Sequence, residues 1–263
     1  MANLKYKNIN LHYSTHGKGS AIILLHGFLE SIIMWDDIYP QLAKNNQVIC
    51  IDLLGHGKTD SLGYIHSMEE QAKMVKFILD HLIIDSCVLI GHSMGGYVSL
   101  AFAELYPKNI KGICLMNSTA QPDDNEKRKN RDRTIKAVKK YPETFVRLAI
   151  PNLFSEENKK VFIPEIKKIT EEALKTSQQG IIAALEGMKI REDRTFILKT
   201  KDFPFLMIIS KLDPALDSQS LIHETNNTPV LIKEFPDGHM SHVENKKQLQ
   251  SVLLNFCDHT CKN

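Results

Sequence analysis

Short apolar runs alternate with longer segments of helical period in the first and last thirds of the chain. This rhythm predicts a parallel sheet covered by helices on both faces. The runs Ala21–Leu25, Gln47–Ile51, Cys87–Ile90, Ile110–Met116, Phe205–Ile209 and Val230–Phe235 read as strands. Most of them are too short for helices and almost wholly apolar, as expected of strands buried on both sides. Alternating positions near Leu4–Asn8 and Asn10–Thr15 predict an antiparallel edge hairpin, so the expected sheet has eight strands. Helical period runs through Trp35–Ala43, Ser67–Leu82, Met94–Tyr106, Ser218–Thr225 and Val243–Cys257. Ser67 followed by Glu70 is a capping-box pattern at the head of the second of these.

Between Gln121 and Thr200 the strand-like runs vanish, charges multiply, and Pro142, Pro151, Pro164 and Gly180 punctuate helical text. The expected organisation is a core of residues 1–120 and 201–263, with a helical cap of residues 121–200 inserted after the sixth strand. Such an insertion leaves the sheet on one strand and returns on the next. It sits above the C-terminal edge, where open α/β sheets bind ligands, and is placed to act as a lid. Leu148, Ile150, Leu153 and Phe154 are candidates for a pocket wall or for packing within the insertion, with packing favoured. Trp35 has the same two readings.

Charge adds mainly exclusions. With 33 basic and 31 acidic residues the net charge is +2, so no overall field draws the chain to nucleic acid or to an anionic membrane. The basic cluster from Lys127 to Lys140 reads as the solvated face of a helix. No stretch reaches the roughly 20 apolar residues of a membrane span, and Met1–Tyr13 lacks the apolar centre of a secretory signal; a cytoplasmic location is expected. Of five cysteines, Cys50, Cys87 and Cys114 lie in strand-like runs and are expected to be buried reduced thiols. Cys257, His259 and Cys261 lack matching ligands for a metal and read as a helix end and a frayed tail. No metal and no organic cofactor is expected, and oligomeric state is not legible.

The chemistry concentrates in Gly91-His92-Ser93-Met94-Gly95-Gly96, between the strand Cys87–Ile90 and a helix. A strand that turns at once into a helix passes through a tight corner, and flanking glycines remove the side chains that would collide there. The corner lifts the Ser93 hydroxyl over the sheet edge and sets the unpaired N–H groups of a helix N-terminus beneath a reacting carbonyl.

A serine hydroxyl needs an adjacent base and a group to orient that base. Asp213 follows the strand Phe205–Ile209 at the functional edge, whereas Asp202 falls at the opposite end and Asp217 reads as a helix-capping charge. His239 follows Val230–Phe235 and Gly238 at the same edge and is favoured as base over His242; His223 and His259 read as structural. Oxyanion donors are expected from the backbone N–H of Met94 and of Phe28, in the turn His26-Gly27-Phe28-Leu29. His26 and the loop Asp52, Gly55, His56, Gly57 read as architectural.

Taken in order, His26-Gly27-Phe28, Asp52-Leu-Leu-Gly-His-Gly57, Gly91–Gly96, Leu212-Asp213-Pro214 and Gly238-His239 resemble the α/β-hydrolase superfamily over almost the whole chain, and within it the lidded serine carboxylesterases. The resemblance implies hydrolysis of a small carboxylic ester through an acyl-enzyme. Relatives that are haloalkane dehalogenases or epoxide hydrolases carry aspartate where Ser93 stands, which disfavours those activities. Asp52–Asp60 and Ser67–Gln71 are also similar to the menaquinone-pathway synthase that forms succinyl-hydroxy-cyclohexadiene carboxylate. Those synthases commonly place arginine directly after the Gly-Gly pair, and Tyr97 stands there instead. A small-ligand receptor on the same fold is a third reading.

Overall fold

The computed structural model describes residues 2–200 and 202–261. Lys201, where the sequence pattern puts the return to the core, lies outside the described residues, as do Met1, Lys262 and Asn263. The sheet contains β1 (Ala2–Tyr6), β2 (Ile9–His16), β3 (Ser20–Leu25), β4 (Asn46–Ile51), β5 (Cys87–His92), β6 (Ile110–Met116), β7 (Phe205–Ser210) and β8 (Leu231–Phe235). These eight strands lie in the order β1-β2-β4-β3-β5-β6-β7-β8. β2 is antiparallel to both β1 and β4, and every other neighbouring pair is parallel.

Continuously apolar strands still alternate, and that alternation builds two cores. Ile23 and Leu25 of β3, Leu89 of β5 and Met207 of β7 face one cluster, packed with α2 (Met68–His81) and α3 (Met94–Leu105). Ile22, Leu24, Val88, Ile90 and Ile208 face the other, packed with α11 (Lys246–Cys261) and with Trp35. Trp35 is fully buried there, so its role is packing. Leu24 and Leu25 are also fully enclosed, and truncating either to alanine is expected to cost about 2–5 kcal/mol.

Two helix expectations are corrected. Trp35–Ala43 is a 3₁₀ turn at Ile32–Trp35 followed by α1 (Tyr39–Leu42), because Pro40 has no N–H for a continuous helix and is tolerated only in a first turn. Val243–Cys257 is α10 (Ser241–Glu244) and then α11, interrupted at Asn245 with φ −127° and ψ 30°. α11 continues to Cys261, so its end is not frayed; Thr260 is buried, and its methyl group closely approaches Gly112. Ser67 Oγ accepts the Glu70 N–H at 3.2 Å, but the Glu70 carboxylate binds the Tyr6 hydroxyl and Lys7 rather than closing a reciprocal capping box.

Between β6 and β7 the chain forms α4 (Asn125–Lys140), α5 (Pro142–Ala149), α6 (Asn158–Val161), α7 (Ile163–Ala173) and α8 (Gln178–Lys189). α9 (Ser218–Glu224) connects β7 to β8. Among the described residues no helix is long and apolar enough to cross a membrane. Cys50, Cys87, Cys114 and Cys257 are buried free thiols, and burial pushes the first two up to about 12, which keeps them protonated and unreactive.

Candidate active site

Ser93 occupies the corner between β5 and α3 with φ 49° and ψ −112°, a conformation that L-residues adopt only under constraint. The constraint is close packing. A Cβ on Gly95 would lie 2.2 Å from the Leu25 carbonyl oxygen, and one on Gly91 would lie 2.3 Å from the Gly95 oxygen. Only glycine at these two positions lets the head of α3 press against the end of β3. Hydrogen bonds from Ser93 N–H to Met116 O at 2.9 Å and from Ser118 Oγ to Ser93 O at 2.8 Å pin the corner to β6.

The same approach brings the turn after β3 alongside α3. Among the described residues the N–H groups of Phe28 and Met94 have no acceptor, while the N–H of Gly27, just before Phe28, is taken by Glu30 at 2.6 Å. Leu29, at φ 64°, completes the turn.

At the same sheet edge, His239 Nδ1 lies 2.7 Å from Asp213 Oδ2. Burial opposes the charge on Asp213, but the nearby His239 and hydrogen bonds from Asn117 and the Ala215 N–H outweigh it and hold the carboxyl below its ordinary range. The second oxygen, Oδ1, accepts from the N–H groups of Ala215 and Leu216 at 2.8 and 3.1 Å. With Nδ1 committed to this carboxylate, Nε2 of His239 has no partner among the described residues. His239 and Ser93 line one cavity of about 350 Å³, with Phe28, Leu153 and Leu216 among its apolar walls.

The main chain of His239 is held on both sides. Its N–H donates to Leu153 O at 2.9 Å, and its carbonyl accepts from His92 Nε2 at 3.0 Å. His92 Nδ1 faces Glu30 Oε2 at 2.7 Å. Both partners of this ring are acceptors, so both nitrogens carry protons and His92 is an imidazolium. Burial opposes that charge, but Glu30 more than compensates and raises His92; Glu30 is correspondingly lowered to about 2 against its own burial. Glu30, His92 and His242 each bring a possible metal-ligand atom within 4.8 Å of the others. His92 and Glu30 already satisfy one another as a buried pair, with the other His92 nitrogen on the His239 carbonyl.

Other sequence candidates fall elsewhere. His242 Nε2 lies 3.8 Å from Glu30 and makes no bond to Asp213, and burial lowers it to about 4. His223 bonds Asn226, His259 bonds the Asn255 carbonyl, and Asp217 caps α9 through the Ser220 N–H. His26 accepts the Leu53 N–H on Nε2 and donates from Nδ1 to Gly27 O, while Asp52 accepts from the N–H groups of Ile32 and Lys58; both shape loops.

The sequence profile of the alpha/beta hydrolase fold family matches residues 20–161. The chain belongs to that family. It is 33% identical over 102 residues to an uncharacterized protein of Mycobacterium bovis, a match covering 39% of this chain and 30% of the relative. It is 27% identical over 252 residues to the dihydrolipoyllysine-residue acetyltransferase component of the acetoin cleaving system of Pseudomonas putida, covering 90% and 63%. The chain therefore spans less than two thirds of the length of either relative. Its fold superposes on a thermophilic esterase from Thermogutta terrifontis with a TM-score of 0.88 and 26% identity, covering 98% of this chain and 97% of that one.

This alpha/beta hydrolase-fold site includes residues the sequence reading passed over. Asn117, at φ 48°, donates to Asp213 Oδ2 at 3.1 Å and to Ser210 Oγ at 2.8 Å, and accepts from Ser241 Oγ at 2.6 Å. Glu244 accepts from the N–H groups of Gly238, Met240 and Ser155, joining the His239 loop to the helices between β6 and β7. An asparagine just beyond an apolar strand was the available signal for the first, and none marked the second. Leu153 lines the cavity, Ile150 and Phe154 are buried, and Leu148 is exposed.

Proposed function

We propose that this protein is a serine hydrolase that cleaves small carboxylic esters through an acyl-enzyme, with residues 121–200 acting as a cap over the cleft. The observation that carries the reading is the 2.7 Å pairing of Asp213 with His239 beside the cavity that holds Ser93. In this reading His239 Nε2 takes the Ser93 proton as the hydroxyl attacks, and Asp213 fixes the tautomer that leaves Nε2 free to accept. The tetrahedral oxyanion is received by the N–H groups of Phe28 and Met94. His239 returns the proton to the departing alcohol, and water repeats the sequence on the acyl-enzyme. The Ser93 backbone strain supports the reading, since such strain concentrates at functional sites.

A chain-length series of 4-nitrophenyl esters, assayed with the wild type and Ser93→Ala, tests it. Turnover of short esters that falls about a thousandfold or more in Ser93→Ala supports the assignment, as removal of a nucleophile acting with a base should. Equal turnover by the two proteins ends it.

A further inference from the structure

The cavity beside Ser93 carries more positive than negative charge. Arg131, Arg191 and Lys127 line it, with Asp123 as their counter-charge; Glu30 also lines it but is neutralised by His92. Asp123 is buried, and one carboxylate serves two guanidinium groups: Oδ1 accepts from Arg191 Nη1 at 2.5 Å and from Arg131 Nη2 at 3.3 Å, and Oδ2 accepts from Arg131 Nε. Two buried or half-buried cations thus share one anion. Glu224 also lies in the field of Arg191, with its oxygens taken by the Thr119 hydroxyl and the Ala120 N–H. Lys127 is exposed, and Asp217 lies in its field on the solvent side.

Arg191 has the geometry of an incomplete site. Its side chain is 4% exposed, and Nε and Nη1 are spent on Gln121 O, Asp123 and Met188 O. Nη2 has no hydrogen-bond partner among the described residues, and Arg191 lines the cavity that holds Ser93 as well as a smaller one beside Thr119 and Glu192. Arg131 Nη1 meets only the Met188 sulfur, at 3.5 Å. The Arg191 guanidinium lies over the Tyr97 ring at 4.2 Å, and Tyr97 stands in the first turn of α3, four residues after Ser93. Ser93, Arg131 and Arg191 all line the one cavity of about 350 Å³, so a substrate seated on Ser93 shares that space with both guanidinium groups.

We propose that the substrate carries a carboxylate a few carbons from the scissile ester, and that Arg191 and Arg131 receive it. Guanidinium groups match carboxylates through paired N–H donors, and a second anion balances the charge that Asp123 leaves over. The inference rests on the serine-hydrolase reading of Ser93 and narrows its substrate class from small esters to half-esters of dicarboxylic acids or esters of acidic alcohols.

The test compares kcat/KM within two matched pairs. The 4-nitrophenyl monoester of glutaric acid is set against 4-nitrophenyl 5-methylhexanoate, in which an isopropyl group replaces the carboxylate. 4-Acetoxybenzoate is set against 4-isopropylphenyl acetate, which places the charge on the alcohol side. In at least one pair the anionic ester is favoured by about tenfold or more, and Arg191→Gln or Arg131→Gln reduces that preference about tenfold, as loss of a charge-assisted hydrogen bond should. No anionic preference in either pair overturns the proposal, as does a preference that survives both replacements in folded protein. Should the arginine variants not fold, wild type decides: glutarate inhibits neutral-ester turnover competitively and glutaramide does not, and equal effects overturn it. Should no ester be turned over, the serine-hydrolase reading fails by itself. Carboxylate recognition is then read from the melting temperature, which glutarate raises in wild type and not in Arg131→Gln; no rise in wild type overturns it.

Discussion

His92 Nε2 holds the backbone carbonyl of His239 at 3.0 Å, so the residue before the elbow serine fixes the main chain of the histidine paired with Asp213. The ring that does this is a buried cation kept charged by Glu30 at 2.7 Å. Two glycine-framed turns, one after β3 and one after β5, thereby position a loop that follows β8.

Glu30→Gln should lower stability by about 3–5 kcal/mol, because it leaves a buried imidazolium without its partner. Glu30→Gln combined with His92→Gln should be more stable than the sum of the single losses implies, since no charge is then left uncompensated. Urea denaturation of the wild type, two single variants and the double variant measures this coupling. Additive losses would show that the pair contributes nothing as a pair. Both single variants should also lower ester turnover by displacing His239, with a shifted pH profile.

Asn117→Gly should reduce kcat/KM by about 10–100-fold, the effect of removing one hydrogen bond to a charged group. Glycine tolerates the φ of 48°, so the loss reports on the side-chain contacts to Asp213, Ser210 and Ser241 rather than on backbone strain. Circular dichroism and steady-state kinetics on the same sample separate the two; unchanged kinetics would remove Asn117 from the machinery.

Ser93→Gly and Ser93→Ala should both be inactive, yet the glycine variant should be the more stable by about 1 kcal/mol, because it releases a conformation that alanine retains. Thermal melts of the two variants decide. An alanine variant as stable as the glycine variant would mean that the corner is unstrained.

Stability should fall as pH drops below 6.5. Burial lowers His56 to about 3 and His66 and His242 to about 4, so between 6.5 and about 4 the unfolded chain takes up protons that the folded protein refuses. Each such proton removes about 1.4 kcal/mol per pH unit. His92 works in the opposite sense: its folded value is raised, so its contribution is complete below 6.5 and is lost as pH rises through that raised value. Glu30 contributes above 4.5 and loses that contribution as pH falls toward about 2. Urea midpoints at pH 7, 6 and 5 check the balance, and a flat series would contradict it.

The strands of the parallel core, the elbow at Ser93 and the edge positions of Asp213 and His239 were legible in sequence because each is encoded within a few consecutive residues. An apolar run specifies a buried strand, and glycines around a serine between strand and helix specify a tight corner. Helix breaks at Pro40 and Asn245 were less legible, since the apolar period continues across them while the hydrogen bonds do not. Tertiary structure alone decided which polar groups meet. Glu30 and His92 are 62 residues apart, Asn117 and Asp213 96, and Asp123 and Arg191 68. At each of these positions the local sequence is compatible with an ordinary solvated side chain. Only the packing of strand ends and inserted helices removes water and leaves the charges to satisfy one another.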